Sequence, residues 1–207
     1  MVFSLKSGFS AWLEYLSARR KSRVPFLYEL RGKRVLDMGC GEGNNLVLDP
    51  KNWVGLDINE NTVKLARAKG YNVKQGSVTD CPFDDSTFDA IIAYQLIEHL
   101  PPDQAHSMLK EMSRLLKKGG VAYITSPMPS KVWGSFTHIR PYPPGAINKI
   151  LTYEANETQN RVGGLKIDLV LYYGPRITLP VIGVFTNFLA NVTPFLKKGY
   201  LLRVVKT

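Results

Sequence analysis

The chain has 207 residues, of which 44% are hydrophobic and 21% are charged. This length suffices for one domain with a full hydrophobic core and is short for two ordinary enzyme domains. The composition excludes a disordered or fibrous chain. Two cysteines, Cys40 and Cys81, are too few for a disulfide framework or a four-cysteine zinc site. The three histidines leave little material for a histidine-rich metal centre.

The net charge of +10 is unevenly distributed along the chain. Residues 1–34 hold eight Lys or Arg against two acids, residues 35–137 hold ten against twelve, and residues 138–207 hold nine against three. Both flanks are therefore basic, whereas the middle is slightly acidic. Basic flanks suit an anionic surface or RNA as a partner, and they equally suit a surface that is simply solvated. Both interpretations stay open.

Neither end of the chain carries a sequence that predicts membrane insertion. Residues 1–20 contain no apolar run long enough for a secretion signal, so we expect a cytoplasmic protein. The uncharged segment 177–196 contains Pro180, Pro194 and two asparagines, which make a poor transmembrane helix. Within it, apolar residues recur at helical spacing and predict an amphipathic helix over 180–194. Such a helix could cover a pocket, pack on the core, or contact a partner or a membrane surface.

Strands and helices are predicted to alternate along most of the chain. An amphipathic helix is predicted around residues 9–16. Strands are then predicted at 34–37, 53–57, 71–76, 89–93 and 121–125, helices at 59–69 and 103–118, and late strands at 167–173 and 201–205. Apolar strands that alternate with helices favour a parallel sheet with helices on both faces. We therefore predict an α/β fold with a doubly wound, mostly parallel sheet of seven strands.

A glycine-rich turn follows the first strand of this series. The strand ends near Asp37, and Gly39, Gly41 and Gly43 then alternate with other residues. Glycines let the backbone turn sharply and let a ligand lie directly against it. Further along, Asp57 ends a second apolar strand, where a carboxylate can accept hydrogen bonds from both hydroxyls of a ribose. The combination predicts a cofactor that contains a nucleoside.

The spacing and charge of the turn distinguish between nucleoside cofactors. Dinucleotide-binding folds favour Gly-x-Gly-x-x-Gly, which places a pyrophosphate on a helix N-terminus, whereas the third glycine here comes one residue earlier. Asp37 before the turn and Glu42 within it would repel a pyrophosphate. They suit a ligand that carries an amino group, such as S-adenosylmethionine. An NAD-dependent oxidoreductase is therefore disfavoured.

Four motifs in order resemble the class I S-adenosylmethionine-dependent methyltransferases, in particular the type 11 small-molecule enzymes. The first motif is the glycine turn, and the second is the stretch 76–89 between the third and fourth strands. The other two are Tyr94-Gln95-Leu96-Ile97-Glu98-His99-Leu100 and Leu116-Lys117-Lys118-Gly119-Gly120. The resemblance covers residues 35–127 and implies the Rossmann-like methyltransferase fold.

The resemblance also implies a set of residues that bind S-adenosylmethionine. The glycine turn would lie under the amino-acid end of the cofactor, and Asp57 would hold the ribose. Ile58 would pack on the adenine, with residues 77–78 on its other side, while Tyr94 and Gln95 would border the methyl group. The full set is Asp37, Gly39, Gly41, Gly43, Asp57, Ile58, Ser77, Val78, Tyr94 and Gln95.

Two histidines are candidate general bases, because a pKa near neutrality suits proton transfer. His99 follows Glu98, but no third or fourth metal ligand is apparent from local spacing, so we predict no metal site. His138 begins a His-x-Arg-x-Tyr-x-Pro stretch that resembles the substrate side of methyltransferases acting on small molecules and cell-surface polymers. We expect this stretch and the 180–194 helix to close over one apolar cavity, with His138 and Tyr142 pointing in and Arg140 near the mouth.

The predicted function is methyl transfer from S-adenosylmethionine to a small molecule or to a lipid- or glycan-linked group. One alternative is an RNA methyltransferase that uses the basic flanks. Another is a cofactor-binding protein without catalysis. We predict one domain over residues 1–207. It comprises a basic helical segment 1–34, a cofactor-binding core 35–127, and a substrate-side and sheet region 128–207.

Overall fold

A computed structural model describes residues 25–152, 161–174 and 197–207. The strands are β1 Val35–Met38, β2 Trp53–Asp57, β3 Val73–Gln75, β4 Phe88–Tyr94, β5 Leu116–Pro127, β6 Leu165–Tyr173 and β7 Gly199–Lys206. They form one seven-stranded sheet in the order β3-β2-β1-β4-β5-β7-β6. Strands β1 to β5 pair in parallel, while β7 lies antiparallel between β5 and β6. The predicted mostly parallel seven-stranded α/β fold is confirmed.

The described part of the chain also contains four α-helices and three 3₁₀ helices. The α-helices are α1 Glu60–Ala68, α2 Pro102–Leu115, α3 Pro129–Val132 and α4 Pro144–Thr152, and the 3₁₀ helices are Pro25–Leu30, Leu46–Leu48 and Ile97–His99. Helix α1 begins where predicted because the Asn59 side chain accepts hydrogen bonds from the backbone N–H groups of Asn61 and Thr62. It ends before Gly70, whose φ of +82° is readily adopted by glycine.

The second helix ends earlier than the sequence predicts. The predicted helix continues to 118, but α2 stops at Leu115, and Leu116 already pairs with Phe88 of β4. The prediction that this helix runs over 103–118 is therefore wrong at its C-terminal end. Lys117 forms an ion pair of 2.8 Å with Asp89 on β4. Pairing along the edge of β4 thus replaces the last helical turn. Gly119 and Gly120, which follow the predicted helix, lie inside β5.

The sheet buries both of its faces, as a doubly wound fold requires. On one face, Leu36 and Met38 of β1 belong to a cluster that includes the buried side of α2 and residues of α4. On the other face, Val35 of β1 belongs to a cluster with residues of α1 and of the Pro25–Leu30 helix. Neighbouring residues of one strand therefore enter opposite cores.

The parallel strands bring their carboxyl ends to one edge of the sheet. Met38 at the end of β1 pairs with Leu56 on one side and with Ala93 on the other. Tyr94 at the end of β4 pairs with Thr125 of β5. The segments that follow β1, β2 and β4 therefore begin side by side, at the edge where open α/β sheets bind ligands.

Several predicted features lie outside the described residues. They are the helix around 9–16 with its basic surroundings, and the amphipathic helix over 180–194. In the part of the chain that the structure describes, no helix has the length and apolar character needed to cross a bilayer.

Arg114, near the end of α2, anchors the loop between β3 and β4. Its guanidinium donates to both carboxylate oxygens of Glu111, at 2.8 and 2.7 Å, and to Asp85 at 2.7 Å. It also donates to the carbonyl oxygens of Phe83 and Cys81. Glu111 in turn accepts a hydrogen bond of 2.8 Å from the Cys81 backbone N–H. This network positions the loop that contributes the predicted adenine contacts.

Replacing Arg114 with Met should lower the free energy of unfolding at pH 7 by about 2–4 kcal/mol, because several charge-assisted hydrogen bonds are lost together. The Arg114 side chain holds the pKa of Glu111 below its ordinary value. The contribution of the Arg114–Glu111 ion pair to the free energy of unfolding is therefore present above the ordinary Glu pKa of about 4.3. It is lost as the pH falls through the lowered pKa of Glu111.

Urea unfolding of the wild type and Arg114→Met at pH 7 and at acidic pH measures this difference. Lys110→Met is the matched control, because Lys110 is an exposed cation on the same helix. It should change stability by less than about 0.5 kcal/mol. A deficit for Arg114→Met that stays the same at acidic pH would contradict the role of the ion pair.

Candidate active site

The glycine turn after β1 is closed by protein at two positions and open at one. All three glycines have positive φ: +67° at Gly39, +53° at Gly41 and +81° at Gly43. A Cβ at Gly39 would lie 2.8 Å from Leu96, and one at Gly43 would lie 2.6 Å from Tyr71. A Cβ at Gly41 would have no atom of residues 25–152, 161–174 or 197–207 within 4 Å. The space above Gly41 is therefore available to a ligand that lies against the backbone.

The Asp37 side chain, on β1 just before the turn, connects this strand to Asn45 at the end of the turn. The side chain is buried, and both of its oxygens accept hydrogen bonds from the Asn45 amide, at 3.4 and 3.2 Å. Burial raises the pKa of Asp37 to about 7. Asp37 therefore orders the loop through its hydrogen bonds to Asn45. Its contact with a cofactor stays a prediction.

Asp57, at the end of β2, joins that strand to the glycine turn. One carboxylate oxygen accepts a hydrogen bond of 2.8 Å from the Gly41 backbone N–H. The other accepts from the Asn59 backbone N–H at 2.9 Å and from the Thr62 hydroxyl at 3.2 Å. A carboxylate has about four acceptor positions, so capacity for a further donor remains. The next side chain, Ile58, is 72% exposed and offers an apolar surface beside this carboxylate.

Three other predicted cofactor-binding residues differ in burial and in hydrogen bonding. The Val78 side chain is buried in the core, so Val78 would face a ligand with its backbone. The Ser77 hydroxyl shares a hydrogen bond of 2.7 Å with the Thr79 hydroxyl. Tyr94 is partly buried and packs against the core on the other face of the sheet.

Gln95, directly after β4, has a backbone conformation that is rare for a side-chain-bearing residue. Its φ is +51°, and its backbone N–H donates to the carbonyl and hydroxyl oxygens of Thr125. Its side-chain amide donates to the Tyr173 hydroxyl at 3.1 Å. Such constrained conformations are concentrated at functional sites. Tyr173 was not predicted as a site residue, because it reaches this edge only through the antiparallel pairing of β6.

The structure brings the two candidate bases, His99 and His138, into contact. Their ring centroids lie 4.7 Å apart, with the ring planes at 80°. His99 ends the Ile97–His99 helix after β4, and His138 lies in the loop after α3. The Glu98 backbone carbonyl accepts a hydrogen bond of 2.8 Å from the Ile139 N–H and so docks this loop on the helix. Catalysis by either histidine stays a prediction.

The Glu98 side chain lies in the same cluster. It is fully buried, and burial raises its pKa. Neither carboxylate oxygen has a hydrogen-bond partner among residues 25–152, 161–174 and 197–207. Unsatisfied buried carboxylates are rare in folded proteins, so this group needs a physical explanation.

An open, largely apolar cavity lies between α2 and α4. Arg140 and Tyr142 line it, and the Arg140 guanidinium lies 5.2 Å from the centre of the Tyr142 ring. His138 is absent from its described lining and lies with Glu98 instead. The main apolar lining consists of Ile97, Ala105, Leu109, Ala146, Ile147 and Ile150.

Comparison with known proteins shows which family this site resembles. Residues 36–124 match the family model described as a methyltransferase domain. The fatty-acid O-methyltransferase of Mycolicibacterium smegmatis is 33% identical over 110 residues, which are 49% of this chain and 39% of that protein. The phthiotriol/phenolphthiotriol dimycocerosates methyltransferase 1 of Mycobacterium ulcerans is 32% identical over 111 residues, which are 49% of this chain and 40% of that protein. The chain thus spans about two fifths of the length of the curated relatives it matches.

A solved structure resembles the chain over nearly its whole length. The S-adenosylmethionine-dependent methyltransferase from Archaeoglobus fulgidus superposes with a TM-score of 0.65 and 23% identity, covering 95% of this chain and 94% of that one. The likeness shows a Rossmann-like α/β fold. Together with the match over the glycine turn and the following strands, it makes residues 36–124 similar to the class I S-adenosylmethionine-dependent methyltransferases. The predicted resemblance, the fold and the cofactor are confirmed, while the individual cofactor-binding residues stay predictions.

A pair of glycine substitutions separates cofactor binding from backbone strain. Gly41 and Gly32 both have positive φ and open space at the Cβ position, but Gly32 lies in a turn away from the site. Gly41→Ala and Gly32→Ala should therefore each lose about 1 kcal/mol of stability. Only Gly41→Ala should also weaken S-adenosylmethionine binding. We expect a loss of affinity of about tenfold or more, which corresponds to the loss of one contact with the ligand. Calorimetry and thermal unfolding measure both effects, and equal affinities for the two variants would contradict the open cradle at Gly41.

Proposed function

We propose that the protein transfers the methyl group of S-adenosylmethionine to an oxygen atom of an acceptor with an apolar, lipid-like body. The observation that carries methyl transfer is the glycine turn, which is open at Gly41 and joined there to the Asp57 carboxylate. The family match and the fold support the same reaction. The relatives that modify fatty acids and dimycocerosates support an acceptor of this class.

The cofactor supplies a methyl group on a sulfonium, which is a good leaving group, so the protein needs mainly to align and desolvate the reactants. In this proposal, Asp57 accepts hydrogen bonds from the ribose and Ile58 covers the adenine. Gln95, fixed by Thr125 and Tyr173, borders the methyl group. If the acceptor is a hydroxyl, His99 or His138 takes its proton. A carboxylate acceptor needs no base, because it is already ionised at neutral pH.

The cavity between α2 and α4 favours an acceptor with an apolar body and an anionic or hydroxyl head. Its lining is mainly aliphatic, so an alkyl chain would lose contact with water there. Arg140 supplies a cation that can pair with a carboxylate. The basic flanks would add attraction to an anionic membrane surface on the cytoplasmic side.

Replacement of Asp57 tests the cofactor half of the proposal. Asp57→Ala should weaken S-adenosylmethionine binding by well over tenfold, since each charge-assisted hydrogen bond to the ribose is worth roughly 1.5–3 kcal/mol. NAD should not bind to the wild type. Asp49→Ala is the control, because Asp49 is an aspartate that bonds to Gly32 and Asn52 away from the site. Calorimetric detection of tight NAD binding, or of undiminished affinity in Asp57→Ala, would count against this assignment.

Fatty acids of different chain length test the acceptor half. With labelled S-adenosylmethionine, the wild type should form a fatty-acid methyl ester that mass spectrometry detects. Arg140→Gln should raise KM for the carboxylate acceptor by about tenfold or more through loss of a charge-assisted contact. Lys149→Gln should leave KM unchanged, because Lys149 is exposed on α4 and outside the cavity lining.

Two outcomes would reject a lipid-like acceptor. One is equal KM values for Arg140→Gln and Lys149→Gln with a fatty acid. The other is transfer to RNA with a steep dependence on salt and none to fatty acids, which would favour the RNA alternative.

A further inference from the structure

We propose that Glu98, His99 and His138 form a binding site for a divalent transition-metal ion. The three residues offer one carboxylate and two imidazole nitrogens from two separate parts of the chain. One potential ligand atom of each lies within 4.8 Å of those of the other two. Zinc–nitrogen and zinc–oxygen bonds are about 2.0–2.2 Å long. Modest side-chain rotations would therefore bring all three ligands onto one ion.

The two histidine rings are held in the tautomer that a metal requires. The Nδ1 atom of His99 lies 3.0 Å from the Thr137 carbonyl oxygen, and the Nδ1 atom of His138 lies 2.8 Å from the Val132 carbonyl oxygen. A carbonyl oxygen can only accept, so each Nδ1 carries the proton and donates it. In a neutral imidazole, Nε2 then holds the free lone pair. Backbone carbonyls orient metal-binding histidines in this manner in many metalloproteins.

Glu98 supplies an independent reason to place a cation in the cluster. Its side chain is fully buried, and no described residue donates a hydrogen bond to either carboxylate oxygen. The buried Ser126 hydroxyl is the neighbouring polar group, but it lies outside hydrogen-bond geometry with Glu98. A buried carboxylate without donors is strongly unfavourable, whereas a metal ion would satisfy both its charge and its lone pairs. The cluster is therefore more than an accidental grouping of polar side chains.

The ligand set distinguishes between metals. Imidazole nitrogen suits zinc, iron, cobalt and nickel, whereas magnesium and calcium prefer a shell of oxygen atoms. Three protein ligands leave at least one coordination position open. An oxygen of the acceptor could occupy that position, where the ion, in place of a histidine base, would lower the pKa of a bound hydroxyl. This last role rests on the proposed function, whereas metal binding itself does not.

Metal binding to the untagged full chain tests the proposal without any measurement of activity. After chelation and dialysis, Zn²⁺ is titrated by calorimetry and Co²⁺ by visible absorption, in the absence of cofactor and acceptor. We expect one ion per chain. Glu98→Gln, His99→Gln and His138→Gln should each raise Kd by about 100-fold or more. His106→Gln should match the wild type, because His106 is the remaining histidine of the chain and lies outside the cluster.

Thermal unfolding and cofactor binding keep the outcomes distinct. Zn²⁺ should raise Tm of the wild type and of His106→Gln, and should leave Tm of the ligand variants unchanged. Binding of S-adenosylmethionine by each variant shows that it is folded; should Glu98→Gln not fold, the two histidine variants carry the comparison. A folded wild type that binds neither Zn²⁺ nor Co²⁺, or ligand variants that bind like the wild type, would overturn the proposal. Intact metal binding without methyl transfer would count against the proposed function alone.

Discussion

The hydrogen bond from the Gly41 backbone N–H to the Asp57 carboxylate is the contact on which the cofactor site depends. It joins the turn after β1 to the end of β2 at a distance of 2.8 Å. The remaining Asp57 oxygen is engaged by the start of α1, so one carboxylate fixes three segments relative to each other. Because the same side chain is predicted to hold the ribose, loop order and ligand affinity are coupled through a single ionised group.

Much of this arrangement follows from local sequence. The apolar strands that end at Asp37 and Asp57 are predicted correctly because a central parallel strand, buried on both faces, is apolar nearly throughout. The glycine turn is recognisable because positive φ at alternate positions restricts the choice of residue. The end of α2 is not predictable from periodicity, since Leu116 continues the helical pattern while its pairing with Phe88 depends on a strand elsewhere in the chain.

Contacts between distant segments account for the parts of the site that local patterns miss. Spacing around His99 offers no third metal ligand, because His138 reaches it only after the following loop docks on the Glu98 carbonyl. The bond between Gln95 and Tyr173 likewise requires β6 to lie in the sheet. Each depends on tertiary structure that is absent from any short window of sequence. The proposed acceptor site depends mainly on such contacts between distant segments. The predicted cofactor site depends mainly on turns that are recognisable in local sequence.

The position of β7 constrains the order in which this sheet can assemble. Strands β1 and β2 each pair with the strand that follows directly in the chain, as does β4, while β4 also pairs back with β1. Strand β6 pairs only with β7 among the described strands, and β7 follows it in the chain. During synthesis, β6 therefore leaves the ribosome before β7, the strand with which it pairs, has been synthesised. The backbone hydrogen-bonding groups of β6 therefore stay unpaired until residues 199–206 have been synthesised.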